Sequence, residues 1–547
     1  MTAATGFLAD ILRNLREQPD RAAIIEVHGS ELRRTDGHGV LDAVARARAY
    51  LRSVGVRPGD RVGLLAPNSM RWVAADLAIL AEGAIVVPLY ARQDPKELAV
   101  MVRNCGPVRV LASDAELAAG LAAAWPEHAP IAEFDEVFAA APIDRDAPPV
   151  AREPHDILTI IYTSGTSGEP KGVRLSQANF DFMLPCTREQ LGLAVSAKPR
   201  PDDVFHFLPL CFAASLIMLW TQLSRPNPVM LSTDLANLVQ EIATAKPDYF
   251  LNVPAVLERI RQGVGAKLRE RGGVALLLAN RGEAAYRRIE AGQAGFLDRF
   301  WLELASYLVF TKVKEQIGPK LEFLVCGSAP LSPETQSWFH MLGIPVYQAY
   351  GLTETTGIVS FDRPGHVAAG MVGMVLPAVE TRLSDEGELL VRGPNLFDGY
   401  WDKPDATAEA IRDGWFHTGD QVEVHDGRLK IIGRIKNLII PESGHNISPE
   451  PIEHKFMEAC PGAEMCMLVG HGKADVGILV TGRPDPKVVE QAMATVNAGL
   501  PHYKRIRRYH VTAEAFTVEN GLLTANQKLR RGVIERHFAA QIEAMYR

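Results

Sequence analysis

The sequence predicts an α/β protein in two parts, a large N-terminal domain with mostly parallel strands and a small α+β C-terminal domain. Three observations carry this. Helical patterns alternate with short apolar strands from about residue 40 to 360, the signature of α/β architecture. From about 380 the texture changes to short strands and turns. The last stretch, from about 434 onward, alternates strand and helix again.

Taken in order, "FLADILRNLREQPDRAA" reads as an amphipathic helix broken by charges and Pro19, not a signal peptide. "RVGLLAP" (61–67) is a short apolar strand. "WVAADLAILAEGAIVVPLYA" (72–91) is the longest apolar run, but Asp76, Glu82, Gly83 and Pro88 interrupt it. It reads as helix, glycine turn and buried strand, since a membrane span needs about 20 uniformly apolar residues. Further strands are expected in "VRVLAS" (108–113), "VFHFLPL" (204–210), "DYFLNVP" (248–254) and "LEFLVCGSAPL" (321–331). Residues 262–320 read as a helical insertion with the aromatic-rich "FLDRFWLELASYLVF" (296–310). Packing on its own domain is the simpler reading of that apolar face, and a membrane-surface contact the sharper one. "GWFHTGDQVEVHDGRLKIIGRIKNLII" (414–440) is a hairpin turning at "HDGR". The domain boundary falls near "GRIKN", giving domains 1–433 and 434–547.

At 547 residues the chain is too long for one ordinary domain. Hydrophobic content of 47% and charged content of 22% are those of a soluble globular protein. A net charge of −7 gives no basic footprint for nucleic acid. Six scattered cysteines form no CxxC and no zinc spacing, which suits a reducing, cytoplasmic setting.

The most specific stretch is "YTSGTSGEPKGV" (162–173). It joins a β-branched strand, "ILTIIYTS", to a second strand, "VRLS", and only "QANFDFML" after it reads as helix. Glycines let backbone N–H groups approach a ligand, hydroxyls add donors and Lys171 adds a charge, a mixture that suits phosphate. It is not a Walker A loop, because Gly172 follows Lys171. A flexible surface turn is the plainer alternative.

Other stretches place chemistry at strand ends, where ligands of α/β sheets gather. These are "CGSAPL" (326–331) and "YQAYGLTETTG" (347–357), followed by "HTGD" (417–420), "GRIK" (433–436) and "LLTANQKLRR" (522–531). Singly, Asp420 reads as a turn residue and Lys528 as part of a charged face. Together and in this order, they make the chain resemble the adenylate-forming superfamily of acyl-CoA synthetases, luciferases and peptide-synthetase adenylation domains. "DGWFHTGD" running into "GRIKNLIIPESGHNISPEPIE" is most similar to long-chain fatty acid–CoA ligases, as is the insertion ending "LVFTKVKEQIG" before "CGSAPLS".

The resemblance implies a multi-sheet N-terminal domain and a mobile C-terminal one, with ATP, Mg²⁺ and coenzyme A as cofactors and a medium- or long-chain fatty acid as substrate. By position, Thr163, Ser164, Gly165, Thr166, Ser167, Gly168 and Lys171 would hold the β- and γ-phosphates. Thr353 would contact the α-phosphate and Glu354 the metal. Tyr350 would stack on adenine in a pocket shared with Gly327, Ser328, Ala329, Gln348, Ala349 and Gly351. Asp420 and Arg434 would serve the ribose, and Lys528 would bridge carboxylate and α-phosphate. Lys436, Ser443, Gly444 and His445 would belong to the CoA path after rotation about Asn437, and Phe212 and Val253 to the acyl pocket. Phe212 stands where many relatives carry histidine, Asn437 where the hinge is often acidic, and Gln527 where glycine often precedes the lysine. The resemblance also leaves room for an acyl carrier protein as acceptor, while peripheral membrane contact rests on the stretch 296–310. A non-catalytic acyl- or nucleotide-binding relict is the rival of another class, opposed by the intact Lys171, Glu354, Asp420 and Lys528.

Overall fold

The computed structural model describes residues 6–164, 169–518, 520–524 and 528–547. Among them, three sheets organise the chain. One has six strands, in the order Ile131–Glu133, Arg109–Ala112, Arg61–Leu65, Ile85–Leu89, Ile157–Ser164 and Pro170–Ser176. All its pairings are parallel except the last, which is a hairpin. The run 72–91 resolves as read from sequence: helix Met70–Ala81, Gly83 in the left-handed region at φ +76°, then buried strand Ile85–Leu89. No helix among the described residues is long and apolar enough to cross a membrane.

A fourteen-stranded sheet changes character along its length. Strands Ala22–His28, Val229–Ser232, Val204–His206, Tyr249–Asn252, Phe323–Cys326 and Val346–Tyr350 run parallel. Beyond Val346–Tyr350 every pairing is antiparallel, through Ser360–Phe361 to the hairpin Trp415–His425 and Arg428–Arg434. That hairpin turns on Asp426 and Gly427, both left-handed (φ +49° and +76°), as a tight right-twisted turn needs. An edge hairpin, Glu31–Asp36 against Ala22–His28, precedes the alternation seen in the sequence. Its outer strand, "ELRRTD", is largely exposed and polar, so it carries no apolar rhythm.

Parallel pairing fixes where the chemistry collects. Asn252 is level with Cys326, and Cys326 with Gln348. Val253, Gly327–Ala329 and Gly351–Glu354 therefore leave the sheet along one edge. The insertion is helical, as expected, with helices Pro254–Arg271, Gly273–Glu290, Asp298–Ala305 and Thr311–Ile317.

Strand Arg428–Arg434 ends the large sheet, and a single 3₁₀ turn, Ile435–Asn437, leads on. The last part is a three-stranded sheet, Ala463–Val469, Val476–Gly482 and Ile506–Thr512. Helices Glu450–Ala459 and Pro486–Ala498 bury Ile452, Phe456, Val489 and Val496 on one face. Helices Arg531–His537 and Ala539–Tyr546 bury Ile534, Phe538 and Ile542 on the other. The two parts touch through Arg530–Glu97 at 3.4 Å, His454–Glu258 at 3.8 Å and Arg261–Glu458 at 3.9 Å.

Candidate active site

The strand pair Ile157–Ser164 and Pro170–Ser176 sets Thr163 opposite Lys171. Ser164 pairs with Pro170; its side chain and the expected phosphate-loop residues Gly165, Thr166, Ser167 and Gly168 lie outside the described residues. Gly172 has a steric reason: a Cβ there would fall 2.8 Å from Ile160 and 3.1 Å from the Tyr162 ring. On the free side of Pro170–Ser176 runs the segment 398–401. Trp401 N–H donates to Gly172 C=O at 2.7 Å, Asp398 N–H to Arg174 C=O at 3.0 Å, and Tyr400 bridges Val173.

This pairing brings Tyr400 between two expected site residues. Its hydroxyl donates to Glu354 Oε1 at 2.9 Å, and the Lys171 ammonium lies 4.9 Å from its ring centre. Burial, and then the Glu354 charge, push the Tyr400 phenol above its usual range, so it stays a donor. Sequence reading missed Tyr400. "GYW" has no local signal, because its meaning depends on pairing with a strand more than two hundred residues away.

Thr353 and Glu354 sit in one 3₁₀ turn after strand Val346–Tyr350. Gly351 begins that turn because nothing larger fits: a Cβ would lie 2.4 Å from the Gly357 carbonyl oxygen. Gly327 is buried against Ala349 C=O, while Ser328 and Ala329 open onto the cleft. Ser328 takes a left-handed φ of +72°, a strained choice for a non-glycine residue. Ala349 pairs with Phe361 and is half-buried. The buried Gln348 amide donates to Gln336 at 2.9 Å and to Met371 C=O at 2.8 Å, which fixes this residue at the end of its strand.

Asp420 is buried and bound from two sides. Tyr350 Oη donates at 2.6 Å, and Arg434, directly opposite on the neighbouring strand, pairs at 2.9 Å. Burial raises its pKa, while Arg434 and the phenol pull it back. Arg434 also donates to Thr418 C=O at 2.9 Å. Glu388 braces the turn, accepting from Gly419 N–H at 2.8 Å and meeting His417 at 2.8 Å.

The small domain supplies the remaining charge. Leu523 bridges Leu529, and Thr524 N–H donates to Lys528 C=O at 2.9 Å, so Lys528 stands on a tight hairpin. Gln527 falls outside the described residues. Either side of that lysine is anchored: Arg530 to Glu97 at 3.4 Å, Arg531 to Glu453 at 2.7 and 2.5 Å. Surrounding protein lowers the Lys528 pKa; Arg434 acts in the same sense, and Asp420 and Glu354 oppose it. Lys436 is lowered to about 8, by burial first and then by Arg434, with Lys171 adding to it. Both lysines expose surface to the open cleft. Four cations, Lys171, Arg434, Lys436 and Lys528, thus surround Glu354 and Asp420, an arrangement that suits a polyanion.

The CoA and acyl expectations land elsewhere around the cleft. Ser443, Gly444 and His445 form an exposed loop, with the His445 ring 4.1 Å from Tyr503. Asn437 ends the connecting turn and donates to Glu450 Oε1 at 2.7 Å. Phe212 precedes helix Ala213–Leu223 and meets Tyr90 at 5.9 Å between ring centres. Val253 opens helix Pro254–Arg271. Beside it, the buried Asn252 Nδ2 has no hydrogen-bond partner among the described residues, a donor that strand-end position alone did not reveal.

Comparison with known proteins identifies the family and the fold. The AMP-binding enzyme family matches residues 11–401, and the AMP-binding enzyme C-terminal domain matches residues 436–547. The chain is 30% identical to the long-chain-fatty-acid–CoA ligase FadD15 of Mycobacterium bovis, over 92% of this chain and 90% of that protein. It is 28% identical to long-chain-fatty-acid–CoA ligase 6 of Homo sapiens, over 89% of this chain and 78% of that protein. The adenylation domain of a carboxylate reductase from Mycobacterium chelonae superposes with a TM-score of 0.79 at 22% identity, covering 99% of this chain and 91% of that one. The anthranilate CoA ligase AuaEII, solved with anthranoyl-AMP, gives 0.76 at 21% identity, covering 99% of each. Matched in both of its parts and sharing the fold of solved adenylation domains, the chain belongs to the AMP-binding enzymes.

Proposed function

We propose that this enzyme activates a medium- or long-chain fatty acid with ATP, giving an acyl-adenylate and pyrophosphate, and then transfers the acyl group to coenzyme A with release of AMP. The observation that carries the reading is the cluster in which Tyr350 and Arg434 hold Asp420 while Tyr400 joins Glu354 to Lys171.

A carboxylate is a poor electrophile because it is anionic and its leaving group would be oxide. Joining it to the α-phosphate solves this, but brings an anion toward a polyanion. Cations and oriented donors supply most of the help in such reactions. Lys528 bridges the two reacting anions, Lys171 and Thr163 hold the outer phosphates, and Thr353 orients the inner one. Asp420 takes the ribose hydroxyls, with Arg434 fixing its carboxylate. Glu354 suits Mg²⁺: Oε1 is held by Tyr400, and Oε2 has no hydrogen-bond partner among the described residues. A hard carboxylate oxygen fits that ion, which would neutralise phosphate charge. For the second step, rotation about Asn437 withdraws Lys528 and brings Ser443–His445 to the cleft. A thiol of pKa ~8.5 needs no strong base there.

The test is a product assay with ATP, Mg²⁺ and saturated fatty acids of increasing length, with and without coenzyme A. Acyl-CoA and AMP formed only with coenzyme A, with a preferred chain length, support the proposal. Pyrophosphate and retained acyl-adenylate without thioester would redirect the second step to a carrier-protein phosphopantetheine. Nucleotide binding without pyrophosphate release would overturn the activation step.

A further inference from the structure

We propose that Glu334, His454 and Glu458 form a site for a divalent transition-metal cation of the zinc type, shared between the two domains. His454 and Glu458 are four residues apart on helix Glu450–Ala459 of the small domain, so they stand on one face. Glu334 lies in the first turn of helix Pro333–Met341 of the large domain. One ligand atom from each of the three falls within 4.8 Å of the other two. Ligand atoms of a tetrahedral zinc site stand about 3.3 Å apart, given bonds of about 2.0–2.1 Å. Small side-chain movements therefore complete the geometry.

The His454 ring separates this cluster from ordinary surface acids. Its Nε2 atom is buried and makes no hydrogen bond among the described residues. Glu458 Oε1 at 3.7 Å and Glu258 Oε1 at 3.8 Å face it from beyond hydrogen-bond reach. A buried ring nitrogen without a partner carries a desolvation cost that a metal bond removes. Glu258, on the large-domain helix Pro254–Arg271, is at hand as a fourth ligand.

Charge points the same way. Glu258, Glu334 and Glu458 meet one guanidinium, that of Arg261, which lies 3.9 Å from Glu458 and donates to Thr335 Oγ1 at 3.0 Å. With the imidazole neutral, three carboxylates and one guanidinium leave two negative charges, which one divalent ion cancels. Burial lifts the Glu258 carboxyl above its ordinary range; His454 and Arg261 oppose the shift and Glu458 adds to it. An imidazole among carboxylates suits zinc-like ions, whereas Mg²⁺ prefers oxygen ligands and keeps several waters. Two of the four ligands come from each domain, so the ion would hold the mutual arrangement in which Arg530 meets Glu97. Bound metal would thereby oppose the rotation proposed for the second half-reaction. That consequence rests on the two-step reading above; the binding itself does not.

The test is calorimetric titration of the metal-free full chain with Zn²⁺, with the visible absorption of Co²⁺ as a second probe of four-coordinate binding. Wild type should bind one equivalent. Glu334→Gln, His454→Gln and Glu458→Gln should each weaken binding at least ~10-fold, the lower bound for disturbing even a ligand's own partners. All three should keep wild-type pyrophosphate exchange in Mg²⁺ alone. At one buffered concentration of free Zn²⁺, thioester formation should slow severalfold more in wild type than in His454→Gln, while exchange stays within a few fold. No binding by wild type, or undiminished binding by His454→Gln, overturns the site. Loss of binding in His454→Gln but not in Glu334→Gln confines the ion to the small domain and overturns the bridge. Equal slowing of wild type and His454→Gln puts the zinc effect elsewhere and overturns the clamp. Absence of exchange in metal-free wild type given Mg²⁺ would count against the activation reading and leave the binding result standing.

Discussion

Tyr400 donates its hydroxyl to Glu354 over 2.9 Å while its ring face carries the Lys171 ammonium at 4.9 Å. One side chain therefore touches both Lys171 and Glu354, the proposed phosphate-side cation and metal carboxylate. A hydrogen bond to a charged group contributes about 1.5–3 kcal/mol. Tyr400→Phe keeps the ring and loses the bond, so pyrophosphate exchange should fall roughly tenfold, with partial recovery at high Mg²⁺. Tyr400→Ala should fall further and recover less. Equal rates for Tyr400→Phe and wild type across a Mg²⁺ titration would remove Tyr400 from the site.

In the proposed reaction Lys528 acts while its hairpin faces the cleft. Lys528→Ala should slow adenylate formation by roughly 10²–10³-fold, the scale of losing one oriented charge at a reacting centre. Thioester formation from supplied acyl-adenylate and coenzyme A should stay within a few fold of wild type. Equal damage to both half-reactions would mean that the lysine supports the fold rather than the first step.

Lys436, lowered to about 8, is partly neutral in mildly alkaline solution. A bound polyanion favours its charged form, as it does that of Lys528. ATP binding above pH 8 should therefore take up protons. Calorimetry in buffers of different ionisation heat reads the uptake directly. Lys436→Arg, charged throughout, should take up less, and an unchanged value would assign the protons elsewhere.

Asp76 is fully buried, takes a hydrogen bond from Trp220 Nε1 at 2.9 Å and is raised by burial to about 7. Asp362 is raised to about 7 by the same cause. An unfolded aspartate ionises near ~3.9. Between those values the folded chain keeps a proton that the unfolded chain has lost. The stability contribution is thus complete below about pH 4 and declines as pH rises through about 7. Urea unfolding of Asp76→Asn should show a flatter decline, by on the order of 3 kcal/mol between pH 4 and 8. Parallel profiles for the variant and wild type would mean Asp76 ionises normally.

Gly351→Ala should leave secondary structure intact and weaken ATP binding at least ~10-fold, because relieving a backbone collision displaces Thr353 and Glu354. Unaltered ATP affinity in that variant would show that the turn can shift without consequence.

Much of this was readable before any coordinates. The Thr163–Lys171 hairpin, the helix–glycine–strand run at 72–91 and the Asp426–Gly427 turn follow from local rules of strand, turn and glycine. The convergence of Lys171, Lys436 and Lys528 was legible only through a family resemblance, because nothing local links three lysines so far apart. Tyr400 was missed, since its value lies in long-range strand pairing. The Gln348–Gln336 amide pair was not legible, because strand-end position says nothing about which internal amides meet a side chain. The strand Glu31–Asp36 was missed because an exposed edge carries no apolar rhythm.

The crowd of like charge at the domain seam has a consequence for order of addition. Lys171, Arg434, Lys436 and Lys528 outnumber Glu354 and Asp420, so the closed arrangement repels itself until a polyanion arrives. In the reaction proposed above, nucleotide would be the counter-charge that draws the small domain shut, and departing pyrophosphate would return the repulsion that lets it swing. The leaving product would then supply the energy for exchanging one half-reaction for the next.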